Sequence, residues 1–309
     1  MTRRIIIPLL FVTTMLFTAL LQAAPSVFSF AVIGQNASKD DSVLQDSIKR
    51  AGQSKSSFIV INGLRSYQES CSDSAFQRRG KLLEDHEKPV FVSLAARDWA
   101  ECQNENSESI AQERLNFLRG MLFENDPASR IKNIQITRQS SAAKFRNYAE
   151  NARWESNGIL FATINLPAGN NHYLAAAGRN NEFEDRLVAN RVWLQRIFTY
   201  AKTHKIKGIV LFSDGNPMVV PAKSSRNETR DGFLEVRKQL TSLGARYAGK
   251  ILLIHGQPSS GNITWRENIG TVGAGKFTLD ITAKPGTTVL YSISRIGSAS
   301  AKNNSSAKK

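Results

Sequence analysis

Apolar and polar positions along the chain mark out a succession of strands and helices. FSFAVI, Phe28–Ile33, alternates and then runs apolar, which predicts a strand followed by the loop GQNAS. Residues 41–51, DSVLQDSIKRA, have an acidic start, a basic end and apolar residues at helical spacing, which predicts a helix ended by Gly52. The same signals predict a strand at 58–61, a helix over Asp73–Glu84 and a strand at 89–94. An amphipathic helix over 107–123 follows through Ile110, Leu115, Leu118 and Leu122. Such alternation calls for a largely parallel sheet with helices on its faces.

The middle of the chain changes character. Residues 134–138 and 145–154 read as extended, and GILFATINL, 158–166, reads as a strong strand. A long helix is predicted over 182–203, with Leu187, Val192, Trp193, Ile197 and Tyr200 on one side. Then come a buried strand at 208–212, a helix over 228–243 stopped by Gly244, and a strand at Lys250–His255. GTVGAG, 270–275, precedes a strand rather than opening a helix and reads as a flexible loop. Strands at 276–282 and 288–294 close the domain as a hairpin around AKPGT.

Both ends stand apart. MTRR, the uncharged apolar run 5–21 and the small residues of QAAPS read as a secretory signal peptide over 1–23, cut after Ala23. An uncleaved anchor is the alternative, and the run is slightly short for one. Residues 297–309 carry no large apolar side chain and read as a disordered basic tail, leaving one domain over 24–296. No later run is long and apolar enough to span a membrane. The expected location is therefore periplasmic or secreted. Cys71 and Cys102 are the only cysteines, so one intrachain bridge is possible, and export favours it. The net charge of +15 falls to +13 once Arg3 and Arg4 leave with the signal. A basic surface attracts anions in general. The basic residues are spread along the chain without a nucleic-acid module, so specific nucleic-acid binding is not expected.

In an open α/β sheet the loops at the carboxyl ends of the strands form the crevice. Here those loops are GQNAS, NGLRS, AARDW, NLPAGNNHY, SDGNP and HGQPSSG. With the CSD…DWAEC framing, RWE…GILFATINLP and LLIHG, their order resembles the calcineurin-like metallophosphoesterases over residues 28–295. It is most similar to an exported branch that places a cysteine pair around its second and third motifs. The resemblance implies a four-layer α/β/β/α sandwich of the metallo-dependent phosphatase type. It also implies two metal ions, bridged by an aspartate, that activate water and neutralise phosphate charge.

This chain departs from the family's ligand set at nearly every position. The first Gly-Asp is Gly34-Gln35, and the second, which carries the bridging aspartate, is Asn62-Gly63. The third motif is Ala95-Ala96-Arg97-Asp98-Trp99, with Ala96 at the ligand position. A later strand ends in Ser213-Asp214-Gly215-Asn216-Pro217, and the last motif is His255-Gly256-Gln257-Pro258-Ser259. His86 and His204 fall at predicted helix ends facing solvent, whereas His172 falls in a strand-end loop. There is no Gly-x-Ser-x-Gly elbow and no phosphate-binding Gly-x-x-x-x-Gly-Lys-Ser/Thr loop.

The leading expectation is an exported, catalytically degenerate member of that fold, with no cofactor, binding an anionic small molecule, an envelope polymer or a protein partner. Arg65, Arg97 and Lys223 would replace the metals' positive charge, beside Gln35, Asn62 and Gln257. The alternative is a working phosphoesterase with an atypical or single-metal site. It would hold Mn, Fe or Zn on Asp98, Asp214, His172 and His255. A purely structural envelope role is the third expectation.

Overall fold

A computed structural model describes residues 27–34, 40–66, 69–84, 86–124, 134–175, 180–221 and 230–296. The predicted signal segment, Gln35, Lys223 and the basic tail lie outside the described residues. In chain order the first half contains β1 (Phe28–Ile33), α1 (Asp41–Gln53), β2 (Ser56–Asn62), α2 (Asp73–Glu84), β3 (Val90–Ser93) and α3 (Ala111–Arg119). The middle contains β4 (Thr137–Arg138), β5 (Ala152–Ser156), β6 (Ile159–Thr163), α4 (Asn181–Thr203), β7 (Gly208–Ser213) and α5 (Leu234–Ala245). The last part is all strand: β8 (Lys250–His255), β9 (Thr264–Arg266), β10 (Ile269–Gly273), β11 (Thr278–Ala283) and β12 (Tyr291–Ile296).

The strands form two mixed sheets. One has five strands in the order β12-β11-β1-β2-β3, and the other has seven in the order β4-β5-β6-β7-β8-β10-β9. β1, β2 and β3 run parallel, as their intervening helices require, while the closing hairpin adds β11 and β12 antiparallel.

Period-2 side-chain direction lets a central strand feed two cores. In β1, Phe28, Phe30 and Val32 join a cluster that also takes Phe161, Val210, Phe212, Leu252 and Ile254 from the other sheet. Ala31 and Ile33 point the opposite way, into a cluster with Leu44, Ile48 and Ala51 of α1, Phe76 of α2 and Leu115 of α3. In β7, Ile209 and Leu211 join Trp193, Leu194 and Ile197 of α4 and Leu240 of α5. Aromatic rings dominate the cluster shared by the sheets. Phe58 meets Phe161 edge-on at 5.0 Å, and Trp154 stacks on Phe91 at 4.0 Å.

Several sequence expectations need correction. Residues 145–154 are not one extended segment. Two short 3-10 turns, Gln139–Ser141 and Ala143–Phe145, precede β5. The helix expected over 107–123 is α-helical over Ala111–Arg119 and finishes in a π-helical turn, Gly120–Glu124. The glycine-rich stretch 270–275 is no flexible loop, because β10 pairs in parallel with β8 from Ile269↔Ile251 to Gly273↔His255. Its glycines answer to crowding. A Cβ at Gly273 would lie 2.1 Å from the Gln257 carbonyl oxygen, and one at Gly270 would press on Ile263 and Trp265.

Candidate functional site

The strand-end loops of the two sheets meet along a polar seam. Asp98 closes the 3-10 turn Ala96–Asp98 that follows β3, and it is fully buried. Its Oδ1 accepts the N–H groups of Leu64 and Arg65 at 2.9 and 2.8 Å, and its Oδ2 accepts that of Ala95 at 2.8 Å. Burial pushes this carboxyl up to about 6, and the three N–H bonds hold it from rising further. Asp214, at the end of β7, is also fully buried. Its Oδ2 accepts the N–H groups of Ala96 and Ala168 at 2.7 and 2.8 Å. Burial raises its pKa too, opposed by those same bonds. Both carboxylates therefore serve to order loops, and Asp214 ties the loop after β3 to the other sheet.

Asn62 makes a second tie across the seam. Its amide donates to the Ser213 carbonyl at 2.9 Å, leaving a buried Oδ1 without a partner among the described residues. Gly34, the retained glycine of the first motif, is fixed by space. A Cβ there would stand 1.7 Å from the carbonyl oxygen of Ala274. Arg65 turns back into its own loop, donating to the carbonyls of Arg97 and Glu69. Its pKa is lowered by burial, against the pull of Asp98 and other acids. Arg97 is half-buried. Cys71 and Cys102 are disulfide-bonded, which joins the segment before α2 to the loop after β3.

His255 and Gln257 open onto a cavity, while the Gln257 amide also reaches the Asp214 carbonyl and Oδ1 at 3.4 Å. The cavity, of about 690 Å³, is also lined by Asn216, Met218, Phe233, Ser259, Arg266 and Ile269. Neither Asp98, Asp214, Asn62, Arg65, Arg97 nor His172 is among its lining residues. Asn216 Oδ1 accepts the Met218 N–H at 3.0 Å, which turns its Nδ2 toward His255 Nε2 at 3.1 Å. Nε2 therefore accepts, and the imidazole proton sits on Nδ1, a buried atom without a partner among the described residues. Burial depresses the His255 pKa to about 4, so the ring is neutral at pH 7. Asp231 also lines the cavity, but Arg237 neutralises it in an ion pair. Arg266 is exposed and forms no ion pair among the described residues.

His172 belongs to an unusual turn. Gly169, Asn170, Asn171 and His172 all have φ between 53° and 67°, a full turn of left-handed backbone. Asn170 and Asn171 are the residue type that tolerates this conformation best after glycine. Asn170 exchanges hydrogen bonds with Arg230 and Gly232, and Arg186 holds the Asn171 side chain and carbonyl at 2.5 and 2.9 Å. The His172 ring meets Trp99 edge-on at 5.0 Å, and burial lowers its pKa. His204 is exposed at the end of α4, as expected, whereas His86 is half-buried.

Sequence reasoning missed the polar group beneath α4. Asn151 donates to Gln139 and Asn190, while Asn190 donates to the Asn165 carbonyl, and all four residues are buried. One signal was available. Asn190 lies three residues from both Leu187 and Trp193 on the apolar face of the helix, a core position that a polar residue occupies only with partners.

The residues present do not fit a metal pair. Such a pair needs several anionic or imidazole ligands around one point. Both oxygens of Asp98 and Oδ2 of Asp214 already accept backbone N–H groups, Asp214 Oδ1 faces the Gln257 amide at 3.4 Å, and His255 and His172 sit in separate surroundings. Among the described residues, no group of three or more His, Cys, Asp or Glu side chains could hold a metal ion. Nor is any helix of the described residues long and apolar enough to cross a membrane.

No protein-family model matches the chain, and no curated protein matches it. Among solved structures it is similar to a candidate 5'-nucleotidase from Staphylococcus aureus in complex with alpha-ketoglutarate, at a TM-score of 0.40 and 12% identity. That match covers 87% of this chain and 53% of the other, so the chain spans about half the length of that protein.

Proposed function

We propose that this chain is an exported, catalytically degenerate protein with the four-layer α/β/β/α architecture of the metallo-dependent phosphatases, acting as a binding module in the cell envelope. One observation carries the reading. The two strand-end carboxylates that could have served metal chemistry are buried and bonded to five backbone N–H groups. A carboxylate so engaged stabilises loops and is not free to bridge cations. On this reading the protein has no resident metal or cofactor.

The binding site is the cavity at the carboxyl ends of β7, β8 and β10. Its size suits a small molecule or a short polymer segment, with a mixed apolar and amide lining. Arg266, the cavity's cation without an acidic partner, and the net charge favour an anionic ligand. A protein partner presenting an acidic side chain would satisfy the same groups.

The purified mature protein is expected to carry Mn, Fe and Zn far below stoichiometry, and to hydrolyse neither a phosphomonoester nor a phosphodiester with Mn²⁺ added. Stoichiometric metal together with turnover that disappears in a folded His255→Ala variant would establish the atypical single-metal phosphoesterase instead.

A further inference from the structure

A second groove lies away from the crevice, between β4, β5 and α4, with a volume of about 530 Å³. Three arginines line it: Arg138 from β4, Arg153 from β5 and Arg196 from α4. Hydroxyls of Ser141, Thr199 and Tyr200 share the lining, and among the described residues no carboxylate lines it. All three guanidinium groups lie over aromatic rings. Arg153 lies 3.9 Å from the Tyr200 centroid, and Arg196 lies 5.8 Å from that of Phe145. Arg138 donates to the Ala149 carbonyl at 2.7 Å and lies 4.8 Å from the Phe123 ring.

Placing like charges in one groove is costly unless an opposite charge joins them. Among the described residues neither Arg153 nor Arg196 forms an ion pair. Glu155, on the same face of β5 as Arg153, accepts the Tyr200 O–H at 3.3 Å. The Arg153 pKa is lowered, first by burial and in part by the charge of Arg196 against the pull of Tyr200 and Glu155. Stacking orients the guanidinium plane and leaves its edge for a planar or tetrahedral oxyanion, the geometry at which arginine excels.

We propose that this groove, lined by Arg138, Arg153 and Arg196 with hydroxyls and, among the described residues, no carboxylate, binds a phosphate-type oxyanion. The oxyanion is either free or the headgroup of an anionic lipid. This site is independent of the crevice and of whether the chain retains catalysis.

Equilibrium dialysis against inorganic phosphate, and flotation with vesicles of phosphatidylcholine alone or mixed with phosphatidylglycerol, test it on the mature chain. Arg153→Gln/Arg196→Gln is expected to weaken binding by roughly tenfold or more. Arg191→Gln/Lys238→Gln, which removes two charges from a groove between α4 and α5, is expected to change it less than about twofold. Thr199→Glu puts a carboxylate into the groove at an exposed helical position and should abolish binding with every arginine intact. It decides the matter if the double variant does not fold. Phosphate binding with this dependence identifies the free oxyanion. Binding only to phosphatidylglycerol vesicles with the same dependence identifies the headgroup. Binding to neither, or equal loss in the control variant, overturns the proposal.

Discussion

Asp98 and His255 show how burial can pull two groups in opposite directions. Asp98 is raised to about 6 in the folded chain from an ordinary value near 3.8. The folded state therefore holds its proton more tightly, and the associated stability is present below pH 3.8 and lost as pH rises through about 6. His255 is depressed to about 4 from 6.5, so its contribution is present above 6.5 and lost as pH falls through about 4. Each swing amounts to ~3 kcal/mol at ~1.4 kcal/mol per pH unit. Asp214 adds to the first slope and His172 to the second. Between pH 4 and 6 the opposing slopes largely cancel in the wild type. In urea unfolding, His255→Gln should show stability falling as pH rises across that window. Asp98→Asn should show it rising, from a baseline lowered by about 1–3 kcal/mol because an amide cannot accept all three N–H groups. Identical slopes in the two variants would contradict this account.

At the scale of elements, the loops matter more than the strands they follow. The Cys71–Cys102 bridge spans 31 residues of chain and encloses both α2 and β3. Replacing both cysteines with serine should cost about 4 kcal/mol by the loop-entropy estimate, read as a lower melting temperature matched by adding reductant to the wild type. An unchanged melting temperature would mean that Asp98 and its N–H bonds order these loops unaided. Strands with strong period-2 patterns, such as β1, β7 and β8, are legible in the sequence because each alternation serves a different core. β10 is not, because its glycines are dictated by the close approach of Gln257 and Ile263, contacts that no local propensity expresses. The turns of 139–145 escape the same reading, since buried amides rather than apolar spacing fix them. In the site, the sequence shows the loops and their substitutions. It does not show that Asp98 spends both oxygens and Asp214 one on backbone N–H groups, or that His255 opens onto a cavity that neither carboxylate lines.

The whole molecule is organised around rings shared by two sheets. Phe30, Phe58 and Phe161 meet within 5.0–5.4 Å of one another, and each is wholly buried. Phe161→Ala should therefore destabilise by ~3–5 kcal/mol in denaturant unfolding, since the surrounding rings cannot collapse into the space. A loss below about 1 kcal/mol would show that the sheets can approach each other freely. The pattern of strands and helices conveys this architecture well where a central strand is apolar on both faces, as in β1, β2, β7 and β8. The net charge is legible in the sequence, but the gathering of Arg138, Arg153 and Arg196 in one groove depends on how β4, β5 and α4 meet.

The turn from Gly169 to His172 has one consequence of its own, and it concerns handedness. A side chain built at Gly169 would touch nothing within 4 Å, so room does not demand glycine there. With φ at 67°, the position is disfavoured for an L-residue by chirality alone. Installing D-alanine at this point by chemical ligation should leave the fold intact and stabilise it slightly, by narrowing the unfolded ensemble. L-alanine should cost ~1 kcal/mol. Beside the cavity, the chain has written one turn in the mirror image of the rest.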